Sequence, residues 1–336
     1  MKEKLIIKNF GPIKSVELEL SKLNVFIGDQ GTGKSTIAKL LIAINNTFFR
    51  EIFDLPYDSV AFPNREKLFI EHLKLVGIRN YLSQETRILY FDNCDNNNSS
   101  NFIFDFLNQE LKVEYAPHYD IAKESLKYDS TYIPSERNLA ITLADSLYAL
   151  IQIKAPLPDL FLKFGNIFLT ARKQKENFDY QKIIGVDYFH KDGRDFIRLP
   201  SGKDIPINDA STGIQGTITL LTVFDYVIKT SLKKELLVIE EPELNCFPHT
   251  QYKLMKHFIE NNFNILSNQN HSNQLLITTH SPYMLTSLNN LIYAYKIGKM
   301  DKEKHKELMA QAQYQYKQQK TITISNTSKF KNTVPL

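Results

Sequence analysis

Alternation of apolar and polar positions governs the first twenty residues: KLIIKNFGPIKSVELEL predicts two short strands around a turn at Gly11-Pro12. LNVFIG, residues 23–28, is apolar without alternation, the pattern of a strand buried on both faces. It runs into glycines, and beyond them Ile37, Leu40, Leu41, Ile44 and Phe48 recur at helical spacing. A strand, a glycine-rich turn and a helix in direct succession make half of a βαβ unit.

From about 50 to 205 the periodicity is less regular. Helical patterns fall near 64–77, 103–113, 137–152 and 158–178, an Asn-rich loop runs from Asn93 to Asn101, and no heptad pattern persists. VDYFHKDGRDFIRLPSGKDIPI, residues 186–207, predicts a β-meander with turns at Lys191-Asp192-Gly193 and Pro200-Ser201-Gly202. After 210 the alternation of helix and strand returns: a helix over 213–230, a strand over 235–240, a helix over 249–265, a strand over 274–279 and a helix from about 282. Residues 261–273 read as a polar surface loop, and 301–336 as a helix fading into a weakly structured end. The chain shows no internal repeats, and the pattern is that of an α/β protein.

Composition narrows the class only modestly. With 336 residues, 43% hydrophobic and 23% charged, the chain can bury a substantial core. Its two cysteines, Cys94 and Cys246, lie far apart outside any CxxC spacing, so neither a disulfide framework nor a structural zinc site is expected, and a reducing, cytoplasmic setting is. The start MKEKLIIKNF has no leader-like apolar region, and no apolar run approaches a membrane span. A net charge of +4 does not by itself imply nucleic acid. The lysines between Lys296 and Lys331 read as a solvated basic helix more readily than as a phosphate track.

The glycines of the first βα turn carry chemistry. Residues 28–35 read G-D-Q-G-T-G-K-S, which fits G-x-x-x-x-G-K-[ST]. In that pattern the backbone from Gly28 through Asp29, Gln30, Gly31, Thr32 and Gly33 curls around phosphate oxygens. Lys34 meets the β- and γ-phosphates, Ser35 binds Mg²⁺, and Thr36 continues a helix start whose dipole favours the anion. In LLVIEEPE an apolar strand ends in acids, where Glu240 is expected to take the metal and Glu241 to polarise the attacking water. QLLITTHSP places His280 at the end of another apolar strand, within reach of a γ-phosphate. Ser211 and Thr212 are N-cap types, and Gly213 lets the backbone approach a ligand closely.

Taken in order, the P-loop, S-[ST]-G-x-Q, apolar-E-E-P-E and T-T-H-S-P resemble the ABC-type ATPase heads of the SMC, RecF and overcoming-lysogenization-defect (OLD) group. The chain looks closest to the bacterial family with an OLD-like, AAA-15 or AAA-21 type ATPase domain. The resemblance covers residues 1–45 and about 130–295. It implies an α/β P-loop NTPase of ABC-ATPase type, with a mixed or parallel sheet flanked by helices and an N-terminal antiparallel β lobe. The head would comprise 1–50 and 180–300, with 51–179 a mainly helical insertion and 301–336 a basic tail.

ATP and Mg²⁺ are the implied cofactors, with Ser35 and Glu240 on the metal, Glu241 the base and His280 the switch histidine. ATP would lie between two copies of the chain, Gly28–Thr36 of one facing Ser211, Thr212, Gly213 and Gln215 of the other. Tyr132-Ile133-Pro134-Ser135-Glu136-Arg137 resembles the family's YIPxxR segment, which makes Glu136 and Arg137 further cofactor-binding candidates. Glu243 is expected to shape the contact between heads. Departures are Thr212 for serine, Ile214 for the second signature glycine, and Cys246-Phe247 where Leu and His are common. No DxD cluster follows His280, so the Toprim nuclease of many OLD-like proteins is not expected. The resemblance favours an ATPase that signals to a separate effector, a toxin or nuclease of anti-phage defence. A RecF-like DNA-binding repair ATPase and a slow-turnover scaffold are the alternatives.

Overall fold

The computed structural model describes residues 3–46, 65–92, 100–105, 110–114, 128–153, 155–174, 177–231, 234–262, 273–300, 321–326 and 334–335. Its centre is a six-stranded sheet. The strands β3 (Leu23–Ile27), β7 (Tyr128–Ile133), β12 (Lys234–Glu240), β13 (Gln274–Thr279), β14 (Thr321–Asn326) and β15 (Val334–Pro335) lie in the order β15-β14-β3-β13-β12-β7. All neighbours run parallel except β14 and β15, which pair antiparallel. The inner strands are apolar at successive positions because both faces are covered. Val25, Leu237, Ile239, Leu275 and Ile277 enter one core, and Phe26, Leu236, Val238 and Leu276 the other.

Helices cover both faces. On the first core pack the helix expected over 213–230, observed as Thr212–Thr230, and those at Asp159–Ala171, Pro248–Asn262 and Pro282–Met300. On the second packs Lys34–Asn45, roofed by an antiparallel sheet in which β1 (Glu3–Phe10) and β2 (Ile13–Leu20) are joined by β4 (Arg87–Asp92), β5 (Ser100–Asp105) and β6 (Glu110–Glu114) in the order β2-β1-β4-β5-β6. There β1 and β2 form the expected hairpin, Phe10 pairing with Ile13 across the Gly11 turn, where φ is +54°. The meander is present as β8 (Phe178–Asp179), β9 (Asp187–Lys191), β10 (Arg194–Arg198) and β11 (Asp204–Pro206). Asp192 and Gly193, both at positive φ, make its tight turn.

Three expectations need correction. The 103–113 segment is not a helix: β5 (Ser100–Asp105) and β6 (Glu110–Glu114) pair antiparallel beside β4 (Arg87–Asp92). Its apolar residues fit a period of two once Phe102 faces Val113 and Phe104 faces Leu111, and Phe104 packs edge-on against Phe69 at 4.9 Å. Residues 51–179, expected to be mainly helical, thus give three strands to the roof and β7 to the central sheet, beside the helices Arg65–Leu75, Asn138–Thr142, Ala144–Gln152 and Asp159–Ala171. Finally, the end of the chain supplies β14, whose Thr-Ile-Thr-Ile alternation suits a strand and which pairs with β3. The Asn-rich loop up to 99, Phe48, the 263–272 connection and the 301–320 part of the basic tail lie outside the described residues.

Candidate active site

Phosphate chemistry has its place at the carboxyl ends of β3, β13 and β12, where the chain leaves a sheet buried on both faces. Register brings three segments together there: Ile27 pairs with Thr279, and Glu240 with Thr278. The P-loop therefore lies beside His280, and His280 beside the two glutamates.

The loop turns on Gly31 and Gly33, at φ +76° and +95°. Gly33 caps the Lys34–Asn45 helix in a left-handed conformation, and a methyl group there would meet Ile13 Cγ1 at 2.8 Å. A methyl group on Gly31 would meet nothing within 4 Å, so that side of the loop is open. Lys34 is buried, and its ammonium donates to the carbonyls of Gly28 and Asp29, each at 2.7 Å. Burial lowers its pKa, opposed by the carboxylates of Glu241, Asp29, Glu243 and Glu240. Thr32 Oγ1 donates to the Asp29 carbonyl at 2.7 Å; Asp29 and Gln30 are exposed, Ser35 is half-buried and Thr36 buried.

Glu240 and Glu241 have different surroundings. Glu240 is buried, and its Oε1 has no hydrogen-bond partner among the described residues; the neighbouring Thr278 hydroxyl is likewise unpaired. Burial pushes the Tyr132 phenol well up, with the Glu240 carboxylate adding to the effect. Glu241 stands at φ +42°, which turns the chain sharply off the strand, and its amide donates to the Thr278 carbonyl at 2.8 Å. Its Oε1 lies 3.2 Å from His280 Nε2, and His280 Nδ1 lies 3.5 Å from Lys34 Nζ. A carboxylate only accepts and an ammonium only donates, so these neighbours suit a donor at Nε2 and an acceptor at Nδ1.

These residues fit ATP and Mg²⁺. An unpaired buried carboxylate oxygen and an unpaired hydroxyl stand beside a lysine and a loop that turns on glycines at positive φ. Mg²⁺ takes one or two protein carboxylates and otherwise substrate oxygens and water, a set that Glu240 and Ser35 can complete.

Other expected residues lie elsewhere. Arg137 is fully buried. Its guanidinium donates to four carbonyls: Glu240 and Glu241 at 2.9 Å, Pro134 and Gly216 at 3.2 Å. Burial lowers its pKa to about 10. It is a clamp on the backbone under the glutamates rather than a cofactor ligand, while Glu136 beside it is exposed. Gln215 is buried, and its amide nitrogen is spent on the carbonyls of Ile207, Asn208 and Ala210. Ser211 caps the Thr212–Thr230 helix, accepting from the Ile214 amide at 3.4 Å, and Ser211 and Thr212 are exposed. Gly213 is needed for an approach within the chain itself, since a methyl group there would collide with the Asn245 carbonyl oxygen. Of the two unusual residues after it, Cys246 turns its thiol to Thr217 Oγ1 at 3.3 Å, whereas Phe247 is 83% exposed.

Two contributors escaped sequence reasoning, the carbonyl clamp of Arg137 and an inward turn of Glu243, whose Oε1 accepts from Thr279 Oγ1 and the His280 amide, each at 2.7 Å. The only sequence signals for them were YIPSER and the third acid of EEPE.

Comparison with solved structures returns SMC heads. The SMC head domain from Thermotoga maritima matches with 12% identity and a TM-score of 0.44, an SmcHead bound to the C-winged helix domain of ScpA with 13% and 0.42, and an Smc head domain with an extended coiled coil bound to the C-terminal domain of ScpA derived from Pyrococcus furiosus with 11% and 0.43. Each alignment covers 85% of this chain and 91% of that one. No curated protein matches. The model of the AAA ATPase domain family matches residues 1–146 and 157–285, more than half of the chain and every segment that converges on Lys34, Glu240 and His280. On that match the chain belongs to the AAA ATPase domain family.

Proposed function

We propose that the protein binds and hydrolyses ATP with Mg²⁺, closing head to head with a second copy. The observation that carries this reading is the line from Lys34 through His280 to Glu241, beside the buried, unpaired oxygen of Glu240. Lys34 holds the β- and γ-phosphates, exchanging its carbonyl partners for phosphate oxygens. Glu241 orients the attacking water and accepts its proton, and His280 Nε2–H, exchanging Glu241 for the nucleotide, donates to the γ-phosphate. Ser35 and Glu240 hold Mg²⁺, which when bound neutralises charge on the phosphates.

The exposed N-terminus of the Thr212–Thr230 helix, with Ser211 and Thr212, supports a role toward a second copy's nucleotide, and exposed Phe247 and Leu244 on the neighbouring turn support a contact there. In this reading the nucleotide state passes to a separate effector, a toxin or nuclease in bacterial anti-phage defence, in the cytoplasm. DNA binding is the competing outcome.

Phosphate release and molecular mass, measured with and without ATP and Mg²⁺, test the proposal. Glu241→Gln is expected to keep ATP binding, lower turnover by at least about a hundredfold and accumulate the dimer. A wild-type protein that neither releases phosphate nor changes mass overturns the reading, and unchanged turnover in Glu241→Gln overturns the assignment of the base. Salt-dependent duplex binding that stimulates hydrolysis would transfer the role to DNA.

A further inference from the structure

His280 sits at a strand end, where a side chain is free to wander unless something fixes the backbone beneath it. Here the fixing is done by residues outside the reacting groups. Glu243 Oε1 accepts from the Thr279 hydroxyl and from the His280 amide, both at 2.7 Å, and so grips the two residues on either side of the peptide that sets the imidazole's direction. Thr279 Oγ1 in turn accepts from the Ser281 amide at 2.9 Å. Ser281 Oγ donates to Gln251 Oε1 at 2.6 Å, Gln251 Nε2 donates to the Cys246 carbonyl at 2.9 Å, and the Cys246 amide donates to the Glu243 carbonyl at 2.9 Å. The circuit closes on the turn where it began. It joins the 243–246 turn, the first turn of the Pro248–Asn262 helix and the 279–281 strand end into one hydrogen-bonded body. Thr279, Ser281 and Gln251 are buried, so water is kept from the Ser281 bonds, while the His280 amide–Glu243 bond lies at the exposed edge of the circuit.

The cost of this arrangement argues for a purpose. Glu243 Oε2 is buried without a hydrogen-bond partner among the described residues, and a neutral amide or hydroxyl would satisfy a strand end more cheaply. A carboxylate gives the shorter, stronger bonds that hold a backbone amide in place. What it holds is the histidine 3.2 Å from Glu241 and 3.5 Å from Lys34.

We infer that Glu243 and Gln251 are positioning residues which, through this closed circuit, set His280 against Glu241 for the hydrolytic step. The inference rests on the hydrolase reading above. Neither side chain takes part in proton transfer. Glu243 fixes the His280 amide directly, and Gln251 fixes Ser281 on the far side of the histidine.

The test uses the full chain with Glu243→Ala, Glu243→Gln, Gln251→Met, His280→Ala and the Glu243→Ala/His280→Ala double variant. Steady-state ATP hydrolysis, binding of a fluorescent ATP analogue, melting temperature and the His280 imidazole NMR signals are measured for each. Glu243→Ala is expected to lower kcat roughly 10- to 100-fold, the scale for a misplaced catalytic group, with KM and analogue affinity changed less than about threefold. Glu243→Gln, whose amide oxygen still accepts both bonds, restores most of kcat. Gln251→Met lowers kcat in the same manner but less, and Glu243→Ala adds nothing once His280 is alanine. The His280 signals shift in Glu243→Ala and return in Glu243→Gln.

Full kcat in Glu243→Ala, or a loss that adds in full to that of His280→Ala, overturns the inference. A loss reversed by raising protein concentration assigns Glu243 to the contact between copies and overturns it too. If Glu243→Ala and Gln251→Met both fail to fold, the circuit serves stability and the inference fails. Should the wild type release no phosphate, the hydrolase reading falls, and the imidazole signals still decide whether Glu243 sets the histidine.

Discussion

Arg137 shows how much of this site is built from main-chain atoms. A guanidinium with no carboxylate in hydrogen-bond contact among the described residues is an expensive thing to bury, yet here it answers four carbonyls. Replacing it with methionine relieves the desolvation but removes all four of these bonds; the Glu241 carbonyl keeps the Leu244 amide and the Gly216 carbonyl keeps the Thr219 hydroxyl, so the cost of about 1–3 kcal/mol falls on each buried carbonyl left unpaired. Arg137→Met is therefore expected to lower the melting temperature and turnover together, whereas Lys34→Ala is expected to abolish ATP binding with little effect on melting. Scanning calorimetry and nucleotide titration separate the two. The same contrast explains what was legible at this scale. In the proposed reading Lys34 and Glu240 face a ligand whose chemistry dictates their types, and so they announce themselves in a motif. Arg137 and Gln215 face backbone carbonyls, which any sequence offers, and only the folded chain shows which ones they meet.

Among elements, the tightest joint lies between the Thr212–Thr230 helix and the turn after β12. Gly213 has no room for a methyl group against the Asn245 carbonyl, and both partners are backbone at that point, so neither can rotate away. Gly213→Ala is expected to push the turn off the helix at a cost of about 1–3 kcal/mol, and to lower kcat because the turn begins at Glu241. A crystal structure or hydrogen exchange over 241–246 would register the displacement.

The elements meeting here were readable in advance wherever a local pattern sufficed: β12 and β13 as apolar runs ending in acids and in histidine, the helix by its caps. The strands at 100–105 and 110–114 were not, because Phe104 and Leu111 satisfy a helical period as well as a pleated one until they are paired across strands, with Phe104 packed on Phe69. Nor was β14, which gains its hydrogen bonds from β3, about three hundred residues earlier in the chain.

For the whole molecule, pH is the most direct probe of how its cores are sealed. Burial holds the phenols of Tyr132, Tyr180 and Tyr188 well above their ordinary value of 10.0, helped by Glu240, Asp225 and Asp195 in turn. A group whose pKa is raised by folding contributes stability that is intact below pH 10 and is lost as pH climbs past it, since the unfolded chain releases its protons first. The melting temperature is expected to fall steeply above pH 10. Tyr180→Phe, which gives up only a 3.4 Å contact with Thr222, should leave it nearly unchanged at pH 7 and make the alkaline slope shallower by about 1.4 kcal/mol per pH unit.

The order of strands in the central sheet also has a meaning in time. The P-loop strand is synthesised well before the strands that flank it, Gln274–Thr279 on one side and Thr321–Asn326 on the other. At synthesis rates of about 5–20 residues per second, roughly ten to fifty seconds separate the P-loop strand from its first sheet neighbour. During that interval the loop has neither of the strands that flank it in the finished sheet. In the proposed reading nascent polypeptides therefore do not compete with finished molecules for ATP, and nucleotide competence waits until residues 274–279 close the sheet beside a loop made long before.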